Sequence, residues 1–104
     1  MANEATIEQL KQARTEGAVV IDVREPDEYA EGHVTGAQSL PLSQLPARTQ
    51  EVPKDQPVYL VCQGGGRSSQ AAELLGAAGH DVRSVAGGTT AWIESGGETA
   101  SGRD

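Results

Sequence analysis

The chain has 104 residues, of which 37% are hydrophobic and 22% charged, and its formal net charge is −7 at pH 7. A chain of this length forms one compact domain and leaves no room for a second catalytic lobe. Eight basic residues against fifteen acidic ones cannot build a basic face of useful size, so the composition argues against a nucleic-acid binder and against a protein that docks on anionic membranes.

The N-terminal segment and the cysteine content indicate where the protein works. The first residues have neither a cationic start nor a long apolar run, so we expect no secretion signal and no membrane span. Cys62 is the only cysteine and cannot form a disulfide within the chain, which suits a reducing compartment. We therefore predict a cytoplasmic protein. One cysteine and two separated histidines also predict no metal site.

Apolar periodicity predicts alternating helices and strands in the first half of the chain. Thr6 can cap a first helix that Gly17 ends, and the β-branched run after it is typical of a strand covered on both faces. Pro46 limits the last segment of this half to one or two helical turns. The predicted elements are, in order, a helix over 6–16, a strand over 18–23, a helix over 26–31, a strand over 37–42 and helical turns over 43–51.

The second half contains the clearest strand of the chain, which ends at Cys62. The predicted elements are this strand over 57–62, a helix that begins after four more residues and ends at Gly79, a strand over 81–86 and a helix over 89–95. Residues 96–104 hold no apolar side chain larger than alanine, so we expect one domain over 1–96 and a disordered tail over 97–104. The alternation predicts a doubly wound, parallel α/β sheet, in which ligands bind beyond the carboxyl ends of the strands. Cys62 stands at that edge.

The segment Cys62-Gln-Gly-Gly-Gly-Arg67-Ser68 joins this strand to the next helix. Glycines admit backbone angles closed to other residues, so the N–H groups of the loop can curl around one point, and the helix N-terminus adds partial positive charge. A cysteine inside such a cradle has a lowered pKa and is a thiolate near neutral pH, and the Arg67 guanidinium would stabilise it further. A lone cysteine is more often a small buried hydrophobe, but strand end, glycine loop, arginine and helix start together favour a nucleophile.

The other polar candidates are interpreted as structural. His33 lies in a turn, and a thiolate held by N–H groups needs no histidine base. Asp22 and Arg24 form a pair of the kind that holds loops together. We expect His80 to be exposed after a helix end and Trp92 to lie in the core. A solvated helix face near the positive end of its dipole explains a group of acidic residues. These residues are Glu25, Asp27, Glu28 and Glu31.

Four separate blocks of the sequence occur in an order that is specific to one family. The blocks are Ile21-Asp-Val-Arg-Glu-Pro-Asp-Glu-Tyr29, Glu31-Gly-His-Val-Thr-Gly-Ala37, Cys62 to Ser68, and Val85-Ala-Gly-Gly-Thr-Thr-Ala-Trp92. Together they resemble the rhodanese family of sulfurtransferases, and the likeness covers about residues 4 to 96. The resemblance implies a single rhodanese-like domain with a doubly wound, mainly parallel five-stranded sheet flanked by helices.

The resemblance also implies that Cys62 is the catalytic nucleophile of a sulfurtransferase. Cys62 would take sulfane sulfur from a small anionic donor such as thiosulfate, become a persulfide, and pass the outer sulfur to cyanide or to a thiol, including one on a partner protein. No metal and no organic cofactor are implied. The residues that would bind the substrate and the persulfide are Gln63, Gly64, Gly65, Gly66 and Arg67.

Two other functions are weighed against this one. A non-catalytic sulfur carrier or persulfide-sensing module would need the same cysteine and cradle, so the sequence separates it poorly from the enzyme. Related dual-specificity phosphatases on the same fold place five residues between Cys and Arg, whereas four stand between Cys62 and Arg67, and the sequence assigns no general acid.

Two departures from the family pattern stand out. Thr35 replaces a proline that many members have, and Arg67 is the only cation of the loop, so we expect weak affinity for thiosulfate.

Overall fold

Short strands and helices alternate through residues 3–102, the part of the chain that the computed structural model describes. The strands are β1 (Glu4–Ala5), β2 (Val19–Asp22), β3 (His33–Val34), β4 (Gln38–Ser39), β5 (Val58–Val61), β6 (Val82–Val85) and β7 (Thr99–Ala100). The helices are α1 (Ile7–Thr15), α2 (Pro26–Glu31), α3 (Gly66–Ala77) and α4 (Gly88–Glu94). Two 3₁₀ segments, Leu42–Ala47 and Thr49–Glu51, occupy the stretch where Pro46 allows only isolated turns.

Five of the strands form one sheet in the order β1-β6-β5-β2-β4, and every neighbouring pair is parallel. The chain leaves β2 toward β4 but leaves β5 toward β6, which lies in the opposite direction. The carboxyl edge between β2 and β5 is therefore a topological switch point, the place where open α/β sheets bind ligands. The prediction of a parallel five-stranded sheet is confirmed, and Cys62 follows β5 at this edge.

The sheet is covered on both faces, which explains why its central strands β2 and β5 are apolar almost throughout. Successive residues of β5 point to opposite faces. Leu60 and Cys62 pack in one cluster with Leu75 of α3, whereas Val61 packs in the other cluster with Trp92 of α4. The thiol therefore lies on the α3 face of the sheet. Within residues 3–102, no helix is long and apolar enough to cross a membrane.

The prediction of a disordered tail over 97–104 is not matched by the structure up to residue 102, whereas residues 103 and 104 lie outside the described residues. Strand β7 pairs antiparallel with β3, and the Trp92 indole N–H donates to the carbonyl of Glu98 at 2.8 Å. A side chain at Gly97 would collide with the Trp92 ring, so the glycine lets the tail lie against the indole. Composition misses this segment because backbone hydrogen bonds, and not apolar burial, hold it.

The prediction that His80 is exposed is wrong. Only 7% of its surface is accessible, and its Nδ1 lies 3.2 Å from the carbonyl oxygen of Pro53. The segment before β5 lies against the end of α3 and covers the imidazole. Trp92 is buried in the core, as predicted.

Candidate functional site

The loop from Cys62 to Gly65 lies at the switch point and leads directly into α3, which begins at Gly66. Gly65 precedes the helix with φ +115°, a backbone conformation that side chains other than hydrogen strongly disfavour. The sharp turn at Gly65 is what aims the start of α3 at the cysteine.

The carbonyl groups of the loop are held from outside by the start of α4. The N–H of Thr89 donates to the carbonyl of Cys62 at 2.8 Å, and the N–H of Thr90 donates to that of Gln63 at 3.1 Å. A Cβ at Gly88 would collide with the Cys62 carbonyl oxygen, so this approach requires glycine. With the carbonyls turned toward α4, N–H groups of the loop are free to converge on the cysteine sulfur.

The Cys62 thiol is surrounded by hydrogen-bond donors. The N–H of Gly65 donates to Sγ at 3.0 Å, and Oγ of Ser68 lies 3.5 Å from Sγ. Burial raises the pKa of the Cys62 thiol, but hydrogen bonds from the Ser68 hydroxyl and from backbone N–H groups outweigh the burial, so the pKa is lowered overall. Those N–H groups belong to Ser68, Gly65 and Arg67. An ionised Cys62 sulfur is thus placed like an anion at a helix N-terminus.

Ser68 was absent from the site residues that the sequence predicted, although it ends the loop motif. Its hydroxyl is fully buried, lies 2.7 Å from Oγ of Ser84 on β6, and can donate to the carbonyl of Gly65 at 3.1 Å. When Ser84 donates to Ser68, the Ser68 proton is free to point at the sulfur. The sequence signal that could have identified Ser68 as a site residue is its place in the first turn of α3, two residues after the glycines.

The three glycines of the loop are not equivalent. Gly64 and Gly66 have ordinary backbone angles, and a Cβ at either position would meet open space. Of the three, only Gly65 needs to be glycine. The open side at Gly64 and Gly66 leaves room for a ligand above the loop.

Gln63 and a buried ion pair anchor the loop to the rest of the switch point. The Gln63 side chain accepts a hydrogen bond from Arg24 at 3.1 Å and donates one to Thr90 at 2.7 Å. Arg24 is paired with Asp22 at 2.8 Å, and both side chains are almost fully buried. Arg24 also donates to the carbonyl of Gly32 at 2.7 Å. The pair joins the end of β2 to the end of α2, in agreement with the predicted loop-holding role.

Arg67 has a different partner from the one expected. Its guanidinium donates two hydrogen bonds to the Glu28 carboxylate, at 2.7 Å and 2.9 Å, whereas its backbone N–H is one of the groups that lower the pKa of the Cys62 thiol. The hydrogen bond from Arg67 lowers the pKa of Glu28 to about 2. The interpretation of Glu28 as part of a solvated face is therefore wrong, because its carboxylate is paired with Arg67 at the end of the cysteine loop.

The remaining candidates have structural contacts. His33 is buried, its Nδ1 lies 2.7 Å from the carbonyl oxygen of Tyr29, and its ring stacks on the Tyr29 ring with centroids 3.6 Å apart. This arrangement agrees with a structural role. Across residues 3–102, no group of three or more His, Cys, Asp and Glu side chains is placed to hold a metal ion.

Comparison with known proteins identifies the family. The model of the rhodanese-like domain matches residues 6–95. The chain belongs to the rhodanese-like family. A sulfurtransferase of Allochromatium vinosum is 39% identical over 92% of both chains. Thiosulfate sulfurtransferase GlpE of Pseudomonas entomophila is 41% identical over 91% of this chain and 89% of its own.

Other relatives carry less functional information but support the same family and fold. The uncharacterized protein YqhL of Bacillus subtilis is 46% identical over 72% of this chain, and the match spans 60% of that protein's length. A rhodanese-related protein of Thermoplasma volcanium has a crystal structure that superposes with a TM-score of 0.88, at 28% identity, over 94% of this chain and 97% of its own. The resemblance predicted from the four sequence blocks is confirmed at the level of family and fold.

Proposed function

We propose that this rhodanese-like protein is a sulfurtransferase that carries sulfane sulfur on Cys62. The observation that supports this proposal is the thiol itself, whose pKa is lowered by donors from Gly65 and from the first turn of α3. A thiolate is the form of cysteine that attacks sulfur. The names of the relatives from Allochromatium and Pseudomonas point to the same chemistry.

The first half-reaction loads the cysteine. The Cys62 thiolate attacks the outer sulfur of a donor such as thiosulfate, the sulfur–sulfur bond of the donor breaks, and sulfite leaves with the electron pair. The product is a Cys62 persulfide anion, so the three negative charges of the reactants are conserved. The N–H groups that held the thiolate remain in place to stabilise the charge of the persulfide, and the open side above Gly64 and Gly66 leaves room for the added sulfur.

The second half-reaction returns the free thiolate. An acceptor nucleophile, cyanide or a thiolate, attacks the outer sulfur of the persulfide, and the Cys62 thiolate leaves with its electron pair. The acceptor becomes thiocyanate or a new persulfide. No step requires a metal or an organic cofactor. A thiol acceptor on a small molecule or a partner protein and a reducing, cytoplasmic setting both suit this cycle, because Cys62 must return to the reduced form.

Intact-mass measurement tests the proposal, because Cys62 is the only cysteine of the chain and any added sulfur belongs to it. The protein is incubated with thiosulfate or inorganic polysulfide, its mass is recorded, and cyanide is then added. We expect a gain of one sulfur atom that cyanide removes as thiocyanate, and no gain in Cys62→Ser. A wild-type protein that gains no sulfur from either donor would contradict the proposal.

The same experiment separates the enzyme from a sulfur carrier. Both gain sulfur at Cys62, but only the enzyme turns over repeatedly when donor and a small acceptor are both in excess. Thiocyanate formed in many-fold excess over the protein supports the enzyme. A single stoichiometric release supports a carrier or sensing module that delivers its sulfur to a partner protein.

A further inference from the structure

The Glu28 carboxylate is fixed in place by its own helix before it meets Arg67. Its Oε1 accepts the backbone N–H of Glu25 at 3.1 Å, as part of a capping box at the start of α2. The next residue, Tyr29, is buried and donates its hydroxyl to the carbonyl of Ala37 at 2.6 Å. The capping box fixes the carboxylate on α2, and the buried Tyr29 holds α2 against the body of the protein, so the carboxylate is preorganised for its pair with Arg67.

The arginine side chains next to the loop are each paired with a carboxylate. Arg67 gives two hydrogen bonds to Glu28, and Arg24 is buried with Asp22. The loop residues between Cys62 and Arg67 are uncharged. Neither of the two arginines at the loop is therefore left with an uncompensated charge to offer a ligand, whereas the thiolate itself is negative.

Thiosulfate brings two negative charges toward this thiolate. To neutralise them, Arg67 would have to release Glu28, whose ionised carboxylate makes both of its hydrogen bonds to the guanidinium with short, charge-assisted geometry. The two side chains are about one-third exposed, so water screens the pair and lowers the cost of opening it. Only a donor that needs the Arg67 guanidinium has to open the pair, so the free-energy cost of opening it affects such donors alone.

We propose that Glu28 is a specificity-determining residue: by holding Arg67, it disfavours dianionic sulfur donors and selects donors that carry at most one negative charge, such as persulfides of uncharged thiols. The inference rests on the proposed sulfur transfer and names the substrate class of the same site. With such a donor, the Cys62 thiolate attacks the outer sulfur of R–S–SH, the S–S bond breaks, and the thiolate RS⁻ leaves with the electron pair. The proton of the new Cys62 persulfide then passes to RS⁻, so charge and atoms balance without a cation at the loop.

Glu28→Gln tests the inference, because the amide keeps the size and one acceptor oxygen but loses the charge. We measure kcat/KM for thiosulfate and for the persulfide of an uncharged alkyl thiol. In the variant, we expect kcat/KM for thiosulfate to rise about tenfold, equivalent to about 1.4 kcal/mol, chiefly through a lower KM. For the alkyl persulfide we expect a change below about twofold, since that donor does not need the guanidinium.

Two further variants show whether Glu28 acts through Arg67. Asp27→Asn removes the same charge from the neighbouring, exposed position of α2 and is expected to leave thiosulfate use unchanged. In an Arg67→Ala background, Glu28→Gln is expected to bring no gain, as the double-mutant cycle requires for a coupled pair. An equal gain in Asp27→Asn, or a gain that persists without Arg67, would overturn the inference in favour of a general field effect.

A binding measurement distinguishes failure of this inference from failure of the proposed function. Sulfate, a dianion that cannot transfer sulfur, is titrated against the alkylation of Cys62 by uncharged iodoacetamide. We expect sulfate to protect Cys62 in Glu28→Gln at about tenfold lower concentration than in the wild type, which is the same affinity ratio. Equal protection in both proteins overturns the inference. If neither donor loads wild-type Cys62, the proposed function fails, and the protection ratio alone decides whether Glu28 controls an anion site.

Discussion

Replacing Ser68 with alanine should raise the pKa of the Cys62 thiol. The Ser68 hydroxyl is the only side-chain donor among the described contacts of Sγ, and it is one of the groups that lower this pKa. Its partner Ser84, at 2.7 Å, holds the hydroxyl in the buried position from which it can donate to sulfur. Alanine removes this donor and leaves the backbone N–H groups in place.

The size of the effect follows from the contact. A hydrogen bond to a charged group contributes about 1.5–3 kcal/mol, and one pKa unit corresponds to about 1.4 kcal/mol. The O···S distance of 3.5 Å is long, and the N–H of Gly65 at 3.0 Å remains, so the lower end applies. We expect the pKa of Cys62 in Ser68→Ala to rise by about one unit.

The assay is the rate of alkylation by iodoacetamide between pH 5 and 10, which reports the thiolate fraction of the single cysteine. Ser69→Ala is the matched control, because Ser69 lies next to Ser68 on α3 and contacts Ser84 at 3.4 Å without a described contact to Sγ. The midpoint should rise in Ser68→Ala and stay within a few tenths of a unit in Ser69→Ala. Equal midpoints in wild type and Ser68→Ala would refute the role of the hydroxyl.

Three further predictions concern stability and the shape of the loop. Gly65→Ala, at φ +115°, should lower the free energy of unfolding in urea by about 1–3 kcal/mol and slow the alkylation of Cys62. Gly64→Ala should lower the free energy of unfolding by less than about 0.5 kcal/mol. Equal losses would contradict the different roles of the two glycines. Because the folded pKa of Cys62 is lowered, the wild type should gain stability over Cys62→Ser as pH rises from that folded value toward the unfolded value of about 8.5, and lose the gain as pH falls through the folded value. A stability difference that does not change with pH would show that the thiolate is not held by the fold. Asp22→Asn leaves the buried guanidinium of Arg24 without its partner charge and should lower the free energy of unfolding in urea by about 3–5 kcal/mol. A loss below about 1 kcal/mol would show that the pair does not hold the loops.

Most of the helices and the longer strands were predictable because their signals are local. Thr6 accepts the N–H of Gln9 as a capping residue should, and α1 ends one residue before Glu16. The apolar runs that form β2 and β5 are continuous in sequence, because both faces of those strands are buried. The cradle of Cys62 was predictable for the same reason, since strand end, glycines and helix start are adjacent in the chain.

The two-residue strands were not predictable from local signals. Strand β1 (Glu4–Ala5) pairs with β6, and β3 pairs with β7, although neither β1 nor β7 contains an alternating apolar run. Each exists because a distant strand offers unpaired backbone groups at its edge. The order of residues 97–102 likewise depends on partners such as the Trp92 indole, which lie outside the segment itself.

The candidate site also combines features set by local sequence with features set by distant residues. The donors that lower the pKa of the thiol, the Ser68 hydroxyl and backbone N–H groups, all lie within six residues of Cys62, so the sequence of that one segment is enough to predict them. The charge seen by a substrate comes from side chains that meet only after folding, since Glu28 and Arg67 are 39 residues apart. The sequence alone does not show which of Asp27 and Glu28 faces the loop, because the Glu28 carboxylate reaches Arg67 only when the capping box of α2 and the position of that helix are both in place. In this protein, reactivity is therefore a property of a local motif, whereas donor selection depends on how the sheet brings α2 and α3 together.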